Sequence, residues 1–437
     1  MTEISLDTVI QEQDFSVQLG SIGRKFAHLA NELLTVTSER SGSWRKRDHF
    51  QVNAEADELE SQLDDFGARY NRTFCYLTEL TASIRGISLA GLSIAHLSKR
   101  LEAYGFIEVL GAEEATRAAE GIERARSFIQ NSVSALLAEW LAEARRLAID
   151  FGSLVSGSED FERETTRLRL PRNVDLEEIQ DEELRIAEVA SKYLEAGAML
   201  REAGFESAGS KDRAALLKDA CSEVVARVYE ATIHNLQSAY DTHIGNTVLE
   251  SNDERLRRLR GHISGALHLF EATTQLTHFV ERHESGERSD SVQEKLAAIV
   301  AREDVEELIL DVLLHWSCRF MSSGMSLAEE LLPSYTNMGT LEVVLADDLI
   351  LHARPASLIV AIVNHHGTPV ELEIAGKTCN ASSILELMVL VGSNTDERRF
   401  VFRGDERPLG DIQLLFESEV GERGMDKLPD ELSYLRL

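Results

Sequence analysis

The chain has 437 residues, of which 43% are hydrophobic and 27% charged. That is a globular composition, and its length calls for two or three domains. The formal charge of −30 at pH 7 argues against nucleic acid as a partner, because phosphate backbones are bound by clustered Lys and Arg.

The N-terminal stretch MTEISLDTVIQEQD has neither the basic start nor the apolar run of a secretory signal. No stretch approaches the roughly 20 apolar residues of a membrane helix, so no membrane contact is expected. Residues 1–332 hold a single proline, Pro171, and the last 105 residues hold the other five. Proline-poor sequence of that length reads as helix after helix. Segments 15–37 and 54–104 come first, with the one notable basic cluster, Arg45-Lys46-Arg47, between them. His28, in RKFAHLANELL, would suit a helical phospho-acceptor only if it faced solvent. In 122–154, Ile122, Ile129, Val133, Leu136, Trp140, Leu147, Phe151 and Leu154 step by threes, fours and sevens, which places them on one stripe of an amphipathic helix.

The charged stretch at 156–183, with Pro171, is the best internal boundary and divides the helical region into halves, 1–170 and 171–333. Helices are expected at 182–203, 291–302 and 304–331. The stretch 216–244 shows the helical period again at Leu217, Cys221, Val224, Val228, Thr232, Leu236, Tyr240 and Ile244, and 256–280 at Leu256, Leu259, Ile263, Leu267, Phe270 and Val280. Several segments are long enough for a bundle, and self-association through them is open. His262, His268, His278 and His283 lack the i, i+4 spacing that directs two imidazoles to one metal. Cys75, Cys221, Cys318 and Cys379 form no CxxC pair; disulfides and zinc are not expected, and a cytoplasmic location is. No P-loop, GxGxxG, GxSxG or HExxH motif occurs, so neither a metal nor a cofactor is implied, and the helical region receives no activity.

After LLPSYTNMGT (331–340) the pattern changes. LEVVLA (341–346) and VELEIAG (370–376) alternate as strands do, and RRFVFRG (398–404) is rich in β-formers. ARPASLIVAIVNHHG and SSILELMVLVG are helix-like and stop near glycines, and RPLGDIQLLFESEV (407–420) is amphipathic. The order predicts an α+β open-faced sandwich over 339–425, an antiparallel sheet covered by three helices. Pro355 belongs in a first helical turn, so a helix should begin at about Ala353 with His352 at its N-cap. Histidine is a poor cap. It suits an anion carried on the ring beside the helix's free N–H groups.

LHARPAS followed in register by GKTCNASSILELMVL (376–390) resembles the histidine-containing phosphocarrier (HPr) family of the bacterial phosphoenolpyruvate–sugar phosphotransferase system. The resemblance covers 341–420. It implies that phosphorylated enzyme I phosphorylates His352 on Nδ1, that an enzyme IIA domain receives the group, and that the protein is a carrier rather than a stand-alone enzyme. Ala353 and Arg354 would hold the phosphate oxygens. Ser383 matches the family's regulatory serine, the target of a serine kinase in some members; neighbouring Ser382 leaves open which hydroxyl is used. Ile384, Leu385 and Met388 match the patch that docks on enzyme I, with Ser357 on the same face.

Two features depart from the family. Ile350 stands where a glycine usually precedes the histidine by two residues. Residues 339–437 carry nine Lys and Arg against seventeen Asp and Glu, a net charge of −8, which would slow docking on an acidic partner. These departures keep a second reading in view, a regulatory HPr-like interaction module whose helical region binds a partner, without a role in sugar transport.

Overall fold

A computed structural model describes residues 10–40, 44–152, 182–205, 217, 222–245, 247–282, 290–346, 349–395 and 397–436. Pro171, Cys221 and His283 lie outside them. The chain forms two compact units. One comprises Met1–Arg169, Leu200–His234 and Gly261–Ser323, and the other Leu170–Met199, Asn235–Arg260 and Gly324–Leu437.

The first unit is helical. Gly67, at φ +67°, turns the chain between Lys46–Asp65 and Cys75–Arg100, so the long helix expected over 54–104 is two. The expected 15–37 helix is likewise Glu12–Ile22 and Arg24–Arg40, separated at Gly23. Cys75–Arg100 also corrects the expectation that no stretch nears membrane length. Within its 26 residues an 18-residue window reaches a mean hydropathy of 1.2, the apolar residues being spaced by Thr78, Ser83, Ser88 and Ser93. The best window is 72% buried within the fold, as befits a core helix.

Ala112–Arg146 ends earlier than its stripe suggests, with Ala148 at φ +54° just beyond it. Phe151 remains buried because it stacks on Trp140 at 5.5 Å, so burial outlasts the helix. In Glu223–His243 the expected stripe holds toward the C-terminal end and fails in the first turns. Val224 and Val228 are 72% and 53% exposed, while Ala226, Ile233, Leu236 and Tyr240 are buried. Every residue of the 256–280 stripe is buried, on Glu254–Arg282. The expected 304–331 helix is Arg302–Leu308, a π-helical segment Ile309–Leu314, and His315–Tyr335, which carries Pro333 in its last turn.

In the second unit the predicted sandwich is present. Strands β1 (Met338–Val344), β2 (Val370–Ile374), β3 (Lys377–Asn380) and β4 (Arg399–Asp405) form an antiparallel sheet in the order β1-β4-β2-β3. Ala375 and Gly376, at φ +51° and +77°, make the tight β2–β3 turn. Leu341, Phe402, Leu372 and Cys379 align across the sheet. Helices Ala353–His366, Ile384–Gly392 and Glu406–Glu417 supply Ile359, Ile362, Leu387, Ile412 and Leu415 to the core that Phe402 and Leu372 face. Val420, Leu428, Leu432 and Leu435 extend that core along the tail.

Two histidines in the helical unit are held neutral. His49 is 1% exposed, tilted 5.2 Å from Trp44, and neither ring nitrogen has a partner among the described residues. Burial pushes it down to about 4, against Asp48. His96 receives Lys46 Nζ on Nδ1 at 2.7 Å and lies 4.4 Å from the His268 ring, which Glu271 holds at 2.9 Å. Burial, with the charges of His268, Lys46 and Arg100, pushes His96 down to about 4 as well. Between 6.5 and about 4, the unfolded chain therefore binds protons that the folded chain refuses. The stability from neutral imidazoles is complete above 6.5 and is lost as pH falls toward 4. For His49 the full effect is on the order of 3 kcal/mol. Denaturant titrations should show stability falling with pH over that range, with a shallower slope in His49→Phe; an unchanged slope would contradict the assignment.

Candidate phosphohistidine site

His352 stands where sequence reasoning placed it, at the N-cap of Ala353–His366 with extended backbone (φ −111°, ψ −170°). The loop before it is held by Leu345 and Leu351, both in the core, and by the Arg398 guanidinium, which donates to the carbonyls of Ala346 and Leu349. Ile350 is 64% exposed and is not among the residues with positive φ. The loop thus accommodates the isoleucine without left-handed backbone.

The ring's two nitrogens have different partners. The Arg354 backbone N–H donates to Nδ1 at 3.3 Å, and Nε2 lies 3.2 Å from Glu422 Oε1. A nitrogen that accepts from an amide carries no proton, so the neutral ring's proton is on Nε2, facing the carboxylate. Nδ1 presents its lone pair at the positive end of the helix. The first intrahelical bond runs from the Ala356 N–H to the His352 carbonyl, and Pro355 has no N–H. The amides of Ala353 and Arg354 therefore precede the helical ladder, as an anion site requires. The His352 side chain is 50% exposed, open to a macromolecular partner.

The Arg354 guanidinium donates to the Gly421 carbonyl at 3.3 Å, and Ser357 Oγ donates to the Arg354 carbonyl at 2.7 Å. Sequence reasoning missed Gly421 and Glu422, because it continued the last helix to 420. That helix ends at Glu417, and Glu419, Val420 and Gly421 follow at φ +55°, +49° and +78°. Left-handed backbone at two non-glycine residues costs about 1–3 kcal/mol each. Val420 is fully buried, and burying such a side chain contributes about 1.5–3 kcal/mol in the opposite direction. The available signal was the pair Gly421 and Gly424, which marks a turn rather than continued helix.

The second motif lies on Ile384–Gly392. Ser383 is its N-cap, accepting from the Glu386 N–H at 3.4 Å, while the Glu386 side chain accepts from the Asn380 N–H at 3.1 Å. Ser382 Oγ donates to Asn380 Oδ1 at 2.9 Å. Ile384 and Leu385 are exposed, as is Val389, which sequence reasoning left out; Met388 packs partly into the core. Burial and nearby Glu386 and Glu371 push the Cys379 thiol up to about 11. Among the described residues no group of His, Cys, Asp and Glu could hold a metal ion, and Cys75 and Cys379 are free thiols.

The tail is tied to the far end of the histidine helix. Asp411 Oδ2 accepts from His366 Nε2 at 2.9 Å and from the Tyr434 hydroxyl at 2.6 Å, and His365 stacks on Tyr434 at 3.7 Å. Burial favours the protonated Asp411 carboxyl, but the bonds from His366 and Tyr434 outweigh it and hold the group below its usual range. Asp411→Asn should lower stability by about 1–3 kcal/mol in denaturant titrations; an unchanged midpoint would show that the cluster does not hold the tail.

Residues 340–408 match the protein family described as the PTS HPr component phosphorylation site. No curated protein matched the chain, and no solved structure did. The matched segment contains both His352 and Ser383 and ends before Gly421 and Glu422. Residues 340–408 are a PTS-HPr domain, the C-terminal part of a longer, largely helical chain.

Proposed function

We propose that the protein is a phosphocarrier that accepts a phosphoryl group on His352 Nδ1 from phosphorylated enzyme I and passes it to an enzyme IIA type domain. A PTS-HPr domain implies partners of the enzyme I kind in general. The observation that carries the finer reading is the division of labour on the ring. Nδ1 faces the helix amides with its lone pair, and Nε2 faces a carboxylate. In the transfer, that lone pair forms the new N–P bond while the donor's bond to phosphorus breaks, its electron pair staying with the donor. Ala353 and Arg354 hold the phosphate oxygens in this reading, and exposed Ile384 and Leu385 dock the donor. The site of action is the cytoplasm.

A regulatory use of the same face is the second reading. Ser383 phosphate would sit at a helix N-terminus, where the dipole favours it, but beside the Glu386 carboxylate. It would add charge next to the apolar docking residues.

Incubation with phosphoenolpyruvate and enzyme I should place acid-labile phosphate on the wild type and none on His352→Ala. An unlabelled wild type, or a labelled variant, would reject the carrier reading. Ser383→Asp should slow this labelling about tenfold or more. If it instead leaves labelling unchanged and alters which proteins the full chain captures, the regulatory reading is favoured.

A further inference from the structure

The tail beyond the matched segment makes two successive contacts with the site, the Gly421 carbonyl to Arg354 and the Glu422 carboxylate to His352. Both follow directly on the left-handed turn at Glu419, Val420 and Gly421. Such backbone persists at a β-branched residue only when its surroundings over-determine it. Here the buried Val420 side chain holds the turn from below. Any side chain at 421 would meet Leu358 Cδ1 at 2.9 Å, so the turn lies close over the histidine helix. An ordinary surface loop between core residues needs none of this.

We infer that Glu422 is the positioning residue of His352: its carboxylate, 3.2 Å from Nε2, favours the proton on that nitrogen electrostatically and so keeps the lone pair on Nδ1, where the helix amides await a phosphoryl group. Without that carboxylate only the long 3.3 Å contact from the Arg354 amide would bias the neutral ring, part of the population would carry the proton on Nδ1, and the Nδ1–H form has no lone pair for phosphorus. When the N–P bond forms, the ring becomes cationic with its Nε2 proton in place. The carboxylate then faces that charge at ion-pair distance, and no proton has to move. When the phosphoryl group leaves, the ring returns to the neutral form in which it began. The 30% exposure of the Glu422 side chain leaves the ion pair partly screened by water, so its worth is modest.

The rate measurement rests on the phosphocarrier reading, while the tautomer measurement does not. Nitrogen-15 NMR of the full-length protein, at a pH where the His352 ring is neutral, should show the Nε2–H form in the wild type and a mixture in Glu422→Ala. Initial rates of labelling by enzyme I should fall about two- to fivefold in Glu422→Ala, the worth of a part-exposed ion pair. Glu422→Asp should recover part of both. The variants are exposed-side substitutions, and an unchanged unfolding midpoint would confirm an intact fold. Either readout unchanged in Glu422→Ala overturns the inference. A wild type that takes no phosphate sinks the carrier reading instead, and the tautomer then decides the role of Glu422 by itself.

Discussion

The bond from the Arg354 amide to His352 Nδ1 determines what this histidine can do. An N–H that donates to Nδ1 excludes a proton there, and the same amide stands ready for an incoming anion once the lone pair is engaged elsewhere. Capping is ordinarily the work of short oxygen-bearing side chains. An imidazole in that position uses the cap geometry for a nitrogen that can also be a nucleophile. The 3.3 Å length is that of a modest hydrogen bond, which suits the proposed transfer, in which the nitrogen gives up that partner at each turnover.

The fold supplies this geometry through constraints on both sides of the histidine. Before it, Leu345 and Leu351 enter the core and Arg398 gathers the intervening carbonyls. After it, Pro355 starts the helix, whose inner face carries Ile359 and Ile362 to the sheet. From the opposite direction the tail returns over the same helix, with Val420 buried at one end and the Asp411–His366–Tyr434 cluster at the other. The site therefore draws on segments about seventy residues apart (from 352 to 422), held by a shared core rather than by local sequence.

That distance explains what could be read from sequence. The strand and helix order of the sandwich, the cap position of His352 and the cap position of Ser383 follow from local signals: alternation in VELEI, Pro355 in a first turn, a serine before ILELMVL. The placement of Glu422 beside the ring follows from none, because it depends on three successive left-handed residues, two of them types that rarely adopt that backbone. In the helical region, periodicity located the helices but lost their ends and one face. Gly67 divides what read as one helix, and Val224 and Val228 stand exposed on a stripe whose later members, Leu236 and Tyr240, are buried. Apolar spacing records a preference for burial, and which neighbour provides it is a tertiary matter.

The helical region keeps two buried or half-buried neutral histidines in a chain of strongly acidic charge. The proposed chemistry rests on one nitrogen of one ring, in the other unit. The direct test is the regiochemistry of the phosphorylated protein, read from phosphorus–nitrogen coupling after labelling by enzyme I on a nitrogen-15 background. The account requires phosphorus bonded to Nδ1 of His352; phosphorus on Nε2, the nitrogen that faces Glu422, would contradict it.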